Sequence, residues 1–139
     1  MAKMMQLEIV TPDRSLLLRD DVTYVLAEAL DGGIGIFANH APLISTLKAA
    51  PLKYRDAQGV EHFASLDVGF MEVGQNKVTI LSAKAELAEN IDVARAEAAK
   101  ERAKKRLANP TVDTDIVRAE AALNRALSRL KTYKLSQTK

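Results

Sequence analysis

Arginines set at helical intervals are the residues of this chain best placed to do chemistry. In the stretch IDVARAEAAKERAKKRL, residues 91–107, Asp92, Arg95, Arg102 and Arg106 stand three, seven and four apart, so on a helix they share one face. Arg118, Arg125 and Arg129 repeat the seven-and-four spacing further on. A guanidinium is planar, permanently charged and donates in pairs, which suits it to phosphate or carboxylate oxygens. Guanidinium groups crowded along one line repel one another unless an anion, or Asp92, sits among them. The chemistry on offer is capture of an anion. A plainer account is that exposed helices carry arginine for solubility and lay its stem over apolar surface.

The remaining candidates are weaker. His40 and His62 stand 22 residues apart, and neither has a metal-ligand spacing. His40 reads as a loop histidine that fixes a turn by hydrogen bonding. Ser15, Ser45, Ser65 and Ser82 have no nucleophile-elbow sequence around them. Gly32-Gly33-Ile34-Gly35 lacks the Gly-Lys-Ser/Thr of a phosphate loop and reads as a tight loop with positive φ. Asp20-Asp21 reads as a solvated turn. No catalytic residue and no metal ligand is expected.

Two helices must hold the arginines. The first spans 91–107, rich in alanine, with Asp92 to cap it and no glycine or proline before Pro110. Val93, Ala96, Ala103 and Leu107 form a narrow apolar stripe beside the arginines, with Ala99 on its edge. Asn109-Pro110 ends it. Asp113 or Thr114 caps the second helix, which runs to about Tyr133. Its seam is Ile116, Ala119, Leu123, Ala126, Leu130 and Tyr133, spaced alternately three and four. Laid antiparallel, the two make a helical hairpin with facing alanines and a clustered positive edge.

Upstream the chain reads as short strands. Residues 4–11 alternate, and 14–19 and 22–30 follow as two strands split by Asp20-Asp21. An apolar segment covers 43–47. Hairpins are expected around Asp56-Ala57-Gln58-Gly59 and Gly74-Gln75-Asn76. The fold class is α+β in two parts: an N-terminal antiparallel β-sandwich, or flattened barrel, followed by a C-terminal antiparallel α-helical hairpin. The sandwich covers 1–84, a linker 85–90, the two-helix domain 91–135 and a frayed tail 136–139.

Composition narrows the class. Hydrophobic residues make up 47% of the 139, with no Trp, so the core is aliphatic. The absence of cysteine excludes disulfides and thiol chemistry. MAKMMQLEIVTPD is not expected to be a signal peptide, and no apolar run is long enough for a membrane span. The net charge of +2 divides into −4 over residues 1–90 and +6 over 91–139. The basic part should be drawn to an acidic surface, a nucleotide, a nucleic acid or anionic lipid. A nucleic-acid-binding β-barrel with a basic helical arm is the alternative, disfavoured because the first helix has no aromatic residue to stack a base.

GGIGIFANHAPLISTL on an alternating β-domain, then SAKAELAENIDVARAEAAKERAKKRL and a second helix, resembles the ε subunit of bacterial F-type ATP synthases over essentially the whole chain. Gly33, Gly35, Ile36, His40, Ala41, Pro42 and Leu43 carry that family's G-x-G-I-x-x-x-H-A-P-L pattern. The resemblance implies a non-catalytic subunit whose sandwich sits on the foot of the γ subunit and touches the ring of c subunits. Gly33, Gly35, His40 and Pro42 would lie in the subunit-facing loop. It implies a mobile hairpin that folds on the sandwich or rises along γ among the α and β subunits, where it blocks ATP hydrolysis. Membrane association, at the cytoplasmic face of the bacterial plasma membrane, would come only through the complex, and no nucleic-acid partner is implied. Some members bind ATP, as a regulatory ligand, through an I/L-D-x-x-R-A motif, matched here by Ile91-Asp92-Val93-Ala94-Arg95-Ala96. By that similarity Arg95, Arg102, Arg125 and Arg129 engage the nucleotide and its phosphates. Glu86, Ile91, Asp92 and Ala96 would shape the adenine and ribose end, with or without Mg2+.

Overall fold

Alternating burial builds the first two-thirds of the chain, and alanine-rich periodicity the last third. The computed structural model describes residues 3–138; Met1 and Ala2 of the expected first domain, and Lys139 of the expected tail, lie outside the described residues. The strands are β1 (Met5–Thr11), β2 (Arg14–Ala29), β3 (Gly32–Phe37), β4 (Leu43–Leu47), β5 (Ala50–Asp56), β6 (Glu61–Leu66), β7 (Gly69–Gly74), β8 (Lys77–Ser82) and β9 (Ala85–Leu87). A 3-10 turn, Ala88–Asn90, leads into α1 (Val93–Ala108) and α2 (Ile116–Gln137). Every second residue points inward: Met5, Leu7 and Ile9 on β1, Leu52 and Tyr54 on β5, Met71 and Val73 on β7, Val78 and Ile80 on β8. These aliphatic side chains form one core between the layers of the sandwich.

The strands are hydrogen-bonded in the order β1-β8-β7-β4-β2-β5-β6-β9, with β3 added on β2, and β1 also pairs with β2. All pairs are antiparallel except β1–β8, which is parallel from Gln6 opposite Lys77 to Val10 opposite Leu81. Sequence pattern does not reveal that pair, because strands so distant in the chain need no hairpin between them.

Three local expectations are corrected. The two strands proposed over 14–19 and 22–30 are one, β2, because Asp20 and Asp21 lie within the ladder rather than in a turn. Arg19 neutralises Asp21 through two contacts of 2.9 and 2.7 Å. Register shifts near Val22 mark where β2 leaves β1 and takes up β5. The glycine-rich loop is also largely strand: Gly33 to Phe37 pair with Glu28 to Tyr24, and Gly32 alone of the three glycines there has a positive φ, 138°. The linker is built as well, since β9 pairs with β6.

Asp92 caps α1 as expected, its carboxylate accepting the Arg95 N–H at 3.1 Å. The second cap is Asp115, bonded to the Arg118 N–H at 3.0 Å, and neither Asp113 nor Thr114. Thr114 instead closes the inter-helix turn by accepting the Thr111 N–H at 2.9 Å. Helix α2 continues through Gln137, two residues into the expected tail. The alanine seam is real where it is smallest: Ala96, Ala103, Ala119 and Ala126 are buried, while Ile116 and Tyr133 at its ends are exposed. A second face of α2 is turned inward too, through Ser128 and Thr132, where it packs on β5 and β6; α1 packs chiefly on α2. Among the described residues, no helix is long and apolar enough to cross a membrane.

Candidate functional site

The arginine borders of the two helices meet in a cleft of about 460 Å³ between α1, α2 and the β6–β9 corner of the sandwich. Small side chains make its helical walls, Ala99 and Ala103 from α1 and Ala122 and Ala126 from α2, which lets the helices approach closely. Five of the eight residues expected at a nucleotide site line it: Glu86, Arg95, Arg102, Arg125 and Arg129. The other three do not. Asp92 spends its carboxylate on the helix cap, Ile91 is buried at the foot of α1, and Ala96 is fully buried.

The lining holds six cations, Lys84, Arg95, Arg102, Arg106, Arg125 and Arg129, against two carboxylates, Asp67 and Glu86. Arg129 Nε donates to Glu86 Oε1 at 2.9 Å, and Arg125 Nη1 stands 3.7 Å from Asp67 Oδ2. The first is a charge-assisted hydrogen bond on half-buried groups, stabilising by about 1–2 kcal/mol; the second is looser, contributing about 1 kcal/mol or less. Arg95, Arg102, Arg106 and Lys84 make no ion pair among the described residues. The cleft therefore presents uncompensated positive charge, which a polyphosphate would neutralise. Both carboxylates are tied to arginines, and no group of three or more His, Cys, Asp or Glu suited to a metal occurs among the described residues.

Sequence reasoning missed Asp67, Lys84 and Ser65. Asp67 and Lys84 come from the β6–β7 and β8–β9 corners and Ser65 from β6, and only tertiary pairing carries them to the helices. Asp67 is fixed there by its N–H to the Lys84 carbonyl (2.9 Å) and Ser82 Oγ (3.1 Å). Arg106 was already in the arginine stripe, eleven residues beyond Arg95, and its spacing could have placed it in the site.

The other expected surface is separate. Gly33 and Gly35 lie on β3, with Gly35 against the Tyr24 ring, and His40 and Pro42 follow in the exposed segment before β4. His40 Nδ1 donates to the Ala41 carbonyl at 2.7 Å, a contact between neighbours in the loop that follows the turn at residues 38–39. Around them Leu30, Phe37 and Ile44 are exposed by 69, 63 and 74%, and the outer face of β7 and β8 adds Phe70 and Leu81. Phe70 and Leu81 stand opposite each other across β7 and β8, and large apolar side chains exposed in this way suit contact with a partner.

A titratable cluster sits at the β5–β6 turn. The buried Asp56 carboxylate accepts His62 Nε2–H at 2.9 Å and the N–H groups of Gln58 and Val60 at 2.9 and 3.0 Å. The His62 bond first, and then the backbone N–H groups, hold its carboxyl below the usual carboxylate range against the opposing effect of burial.

Residues 4–88 match the family described as ATP synthase, Delta/Epsilon chain, beta-sandwich domain, and residues 89–134 the companion long alpha-helix domain. An ATP synthase epsilon chain of Syntrophomonas wolfei is 46% identical over 101 residues, 73% of each chain. One from Pelotomaculum thermopropionicum is 49% identical over 109 residues, 78% of this chain and 80% of that one. A chain in the Euglena gracilis mitochondrial ATP synthase (OSCP/F1/c-ring) shares the fold with a TM-score of 0.79 at 20% identity, covering 97% of this chain and 82% of its own. A chain in the Tetrahymena thermophila mitochondrial central stalk/c-ring structure gives 0.59 at 18% identity, covering 99 and 98%.

Proposed function

The chain belongs to the ATP synthase delta/epsilon family, and from that premise we propose that it is a non-catalytic central-stalk subunit whose helical hairpin responds to ATP. The observation that carries the ATP reading is the convergence of Arg95 and Arg102 from α1 with Arg125 and Arg129 from α2 on one cleft. A triphosphate held there bridges two helices, and opening the hairpin would tear half of the site away. A ligand shifts a two-state equilibrium only by its differential affinity, so ATP favours the closed form. High ATP would then relieve inhibition of hydrolysis, and low ATP would permit it.

The exposed apolar face of Phe37, Ile44, Phe70 and Leu81 supports docking on the γ subunit and the c-ring, with Gly33, Gly35, His40 and Pro42 in the contacting segment. The +6 charge of residues 91–139 favours an opened hairpin against the acidic segment that the β subunits of this family present, an attraction that salt weakens. Attachment at the cytoplasmic face of the membrane would follow from those contacts alone.

Titration calorimetry tests the ATP site. The intact chain should bind ATP, and Arg95→Ala with Arg125→Ala should weaken binding roughly a hundredfold or more, at about tenfold or more per charge-assisted contact. Equal affinity in the two proteins would eliminate the cleft as the site.

A further inference from the structure

Both carboxylates in the cleft carry the wrong sign to hold a phosphate; each would repel one. Both belong to the sandwich, Asp67 at its β6–β7 corner and Glu86 on β9, and both hold arginines of α2. Arg125 and Arg129 stand one helical turn apart, and between them on the same face Ser128 Oγ meets Ser65 Oγ of β6 at 3.0 Å, both residues buried. Three contacts thus run in a line, each joining the sandwich to α2 and none involving α1. Large apolar side chains are scarce on that face: Ser128 and Thr132 are its buried residues, and Thr132 satisfies its hydroxyl on the Ser128 carbonyl at 2.7 Å. The polar contacts along this line therefore contribute to the strength of the seat.

We propose that Asp67 and Glu86 are resident counter-anions: they hold Arg125 and Arg129, and with them the hairpin, on the sandwich while the cleft lacks a ligand, and yield both guanidiniums to an incoming polyphosphate. The inference rests on the ATP-sensitive hairpin above and names its regulation. Lys84, Arg95, Arg102 and Arg106 attract the polyphosphate first, because no carboxylate among the described residues engages them. As it settles, its charge stands close to Asp67 and Glu86, the two α2 guanidiniums turn to it, and the ligand, held also by Lys84 of the sandwich, takes over the bridge from α2 to the sandwich. The carboxylates therefore set how closed the hairpin is before any ligand arrives, and so how large a change the ligand produces. The Ser65–Ser128 pair carries no charge and supplies the part of the seat that salt leaves untouched.

The chain has no cysteine, so two can be introduced for a fluorophore pair, at fully exposed Val112 in the inter-helix turn and at exposed Gln58 in the β5–β6 turn. Energy transfer is read in the full chain without ligand, with ATP and with inorganic tripolyphosphate, from low salt to about 0.5 M KCl, where screening is nearly complete. In Asp67→Asn/Glu86→Ala, the ligand-free ratio of open to closed hairpin should rise about tenfold or more, and its salt dependence should flatten. Tripolyphosphate, which has no adenine or ribose end for Glu86 to contact, should restore closure and produce a larger change than in the parent; ATP should restore closure in Asp67→Asn, which keeps Glu86. Asp67→Asn alone keeps the acceptor for the Val68 N–H, now 2.8 Å from Asp67 Oδ1, and should show a smaller shift of the same sign. Ligand-free closure and salt dependence unchanged in both variants would overturn the proposal. If both ligands leave parent and variant unmoved while the ligand-free difference persists, the ATP reading falls and the hold by the two carboxylates stands.

Discussion

Replacing Gly69 by alanine should weaken the sandwich far more than the same change at Gly74, at the other end of β7. A Cβ on Gly69 would overlap the Leu81 carbonyl oxygen and stand 2.9 Å from its carbon and 3.0 Å from Ser82 Cα. These are main-chain atoms of β8, so no rotamer change can relieve the clash. A Cβ on Gly74 meets nothing within 4 Å. Neither glycine has a positive φ, so left-handed backbone does not separate the two. Relief at Gly69 requires the strands to part locally, at an overpacking cost of about 1–3 kcal/mol and roughly 1 kcal/mol more for a weakened ladder bond. At either site alanine recovers up to about 1 kcal/mol by restricting the unfolded chain, and at Gly74 that gain is unopposed. The two variants should therefore differ by about 3 kcal/mol, or roughly 6–12 °C in Tm for a chain of this size. Urea unfolding followed by far-UV circular dichroism, with a thermal melt beside it, measures both. The shift also reaches the cleft, because Ser82 Oγ accepts the Asp67 N–H and donates to the Lys84 carbonyl. Midpoints for the two variants agreeing within about 0.5 kcal/mol, the usual scatter for harmless substitutions, would refute the steric argument.

Acid should loosen the β5–β6 turn. The Asp56 carboxyl is depressed, so its contribution is complete above the unfolded value of about 4 and is lost as pH falls through the lower folded value. The urea midpoint should decline on acidification below about pH 4, and less steeply in Asp56→Asn. Ser128→Ala should cost about 1–2 kcal/mol by leaving the buried Ser65 hydroxyl without its partner, whereas Ser65→Ala/Ser128→Ala should cost less than the sum of the single changes. A double-mutant cycle on hairpin docking measures that coupling, and additive costs would count against it. Gly32→Ala should destabilise by about 1–2 kcal/mol in a thermal melt, since a φ of 138° suits glycine alone.

How much of this was legible in the sequence follows the range of the interactions. Helix periodicity is local, and it gave the Arg95–Arg102 and Arg125–Arg129 borders and the small alanine seam. The hairpin turn at Asp56 was equally readable, since Asp56 and Gly59 shape it from within four residues. The second inward face of α2 was not, because Ser128 and Thr132 look polar in a pattern and are buried only by meeting β6 and their own helix. Asp20 and Asp21 misled for a similar reason: an acidic pair resembles a turn until Arg19 and the β1 and β5 ladders are seen around it. Glycines suggested a loop over 32–35, but a strand beside β2 tolerates them, and Tyr24 and Phe37, with ring centroids 4.7 Å apart, cover that stretch. Asp67 and Lys84 could not be placed from their neighbours in the chain.

The parallel pairing of β1 with β8 has a consequence for how the chain is made. Gln6 cannot find Lys77 until some seventy residues have left the ribosome, about 4–14 s at 5–20 residues per second. Until then the first strand has only β2 to lean on, and its other edge stays open to wrong neighbours. The helices need only each other's nearby alanines and can coil quickly, but the floor they rest on is finished just before they emerge. Nascent chains whose residue 77 has not yet left the ribosome should therefore be protease-sensitive throughout, and chains with residue 87 clear of it should become resistant in a single step.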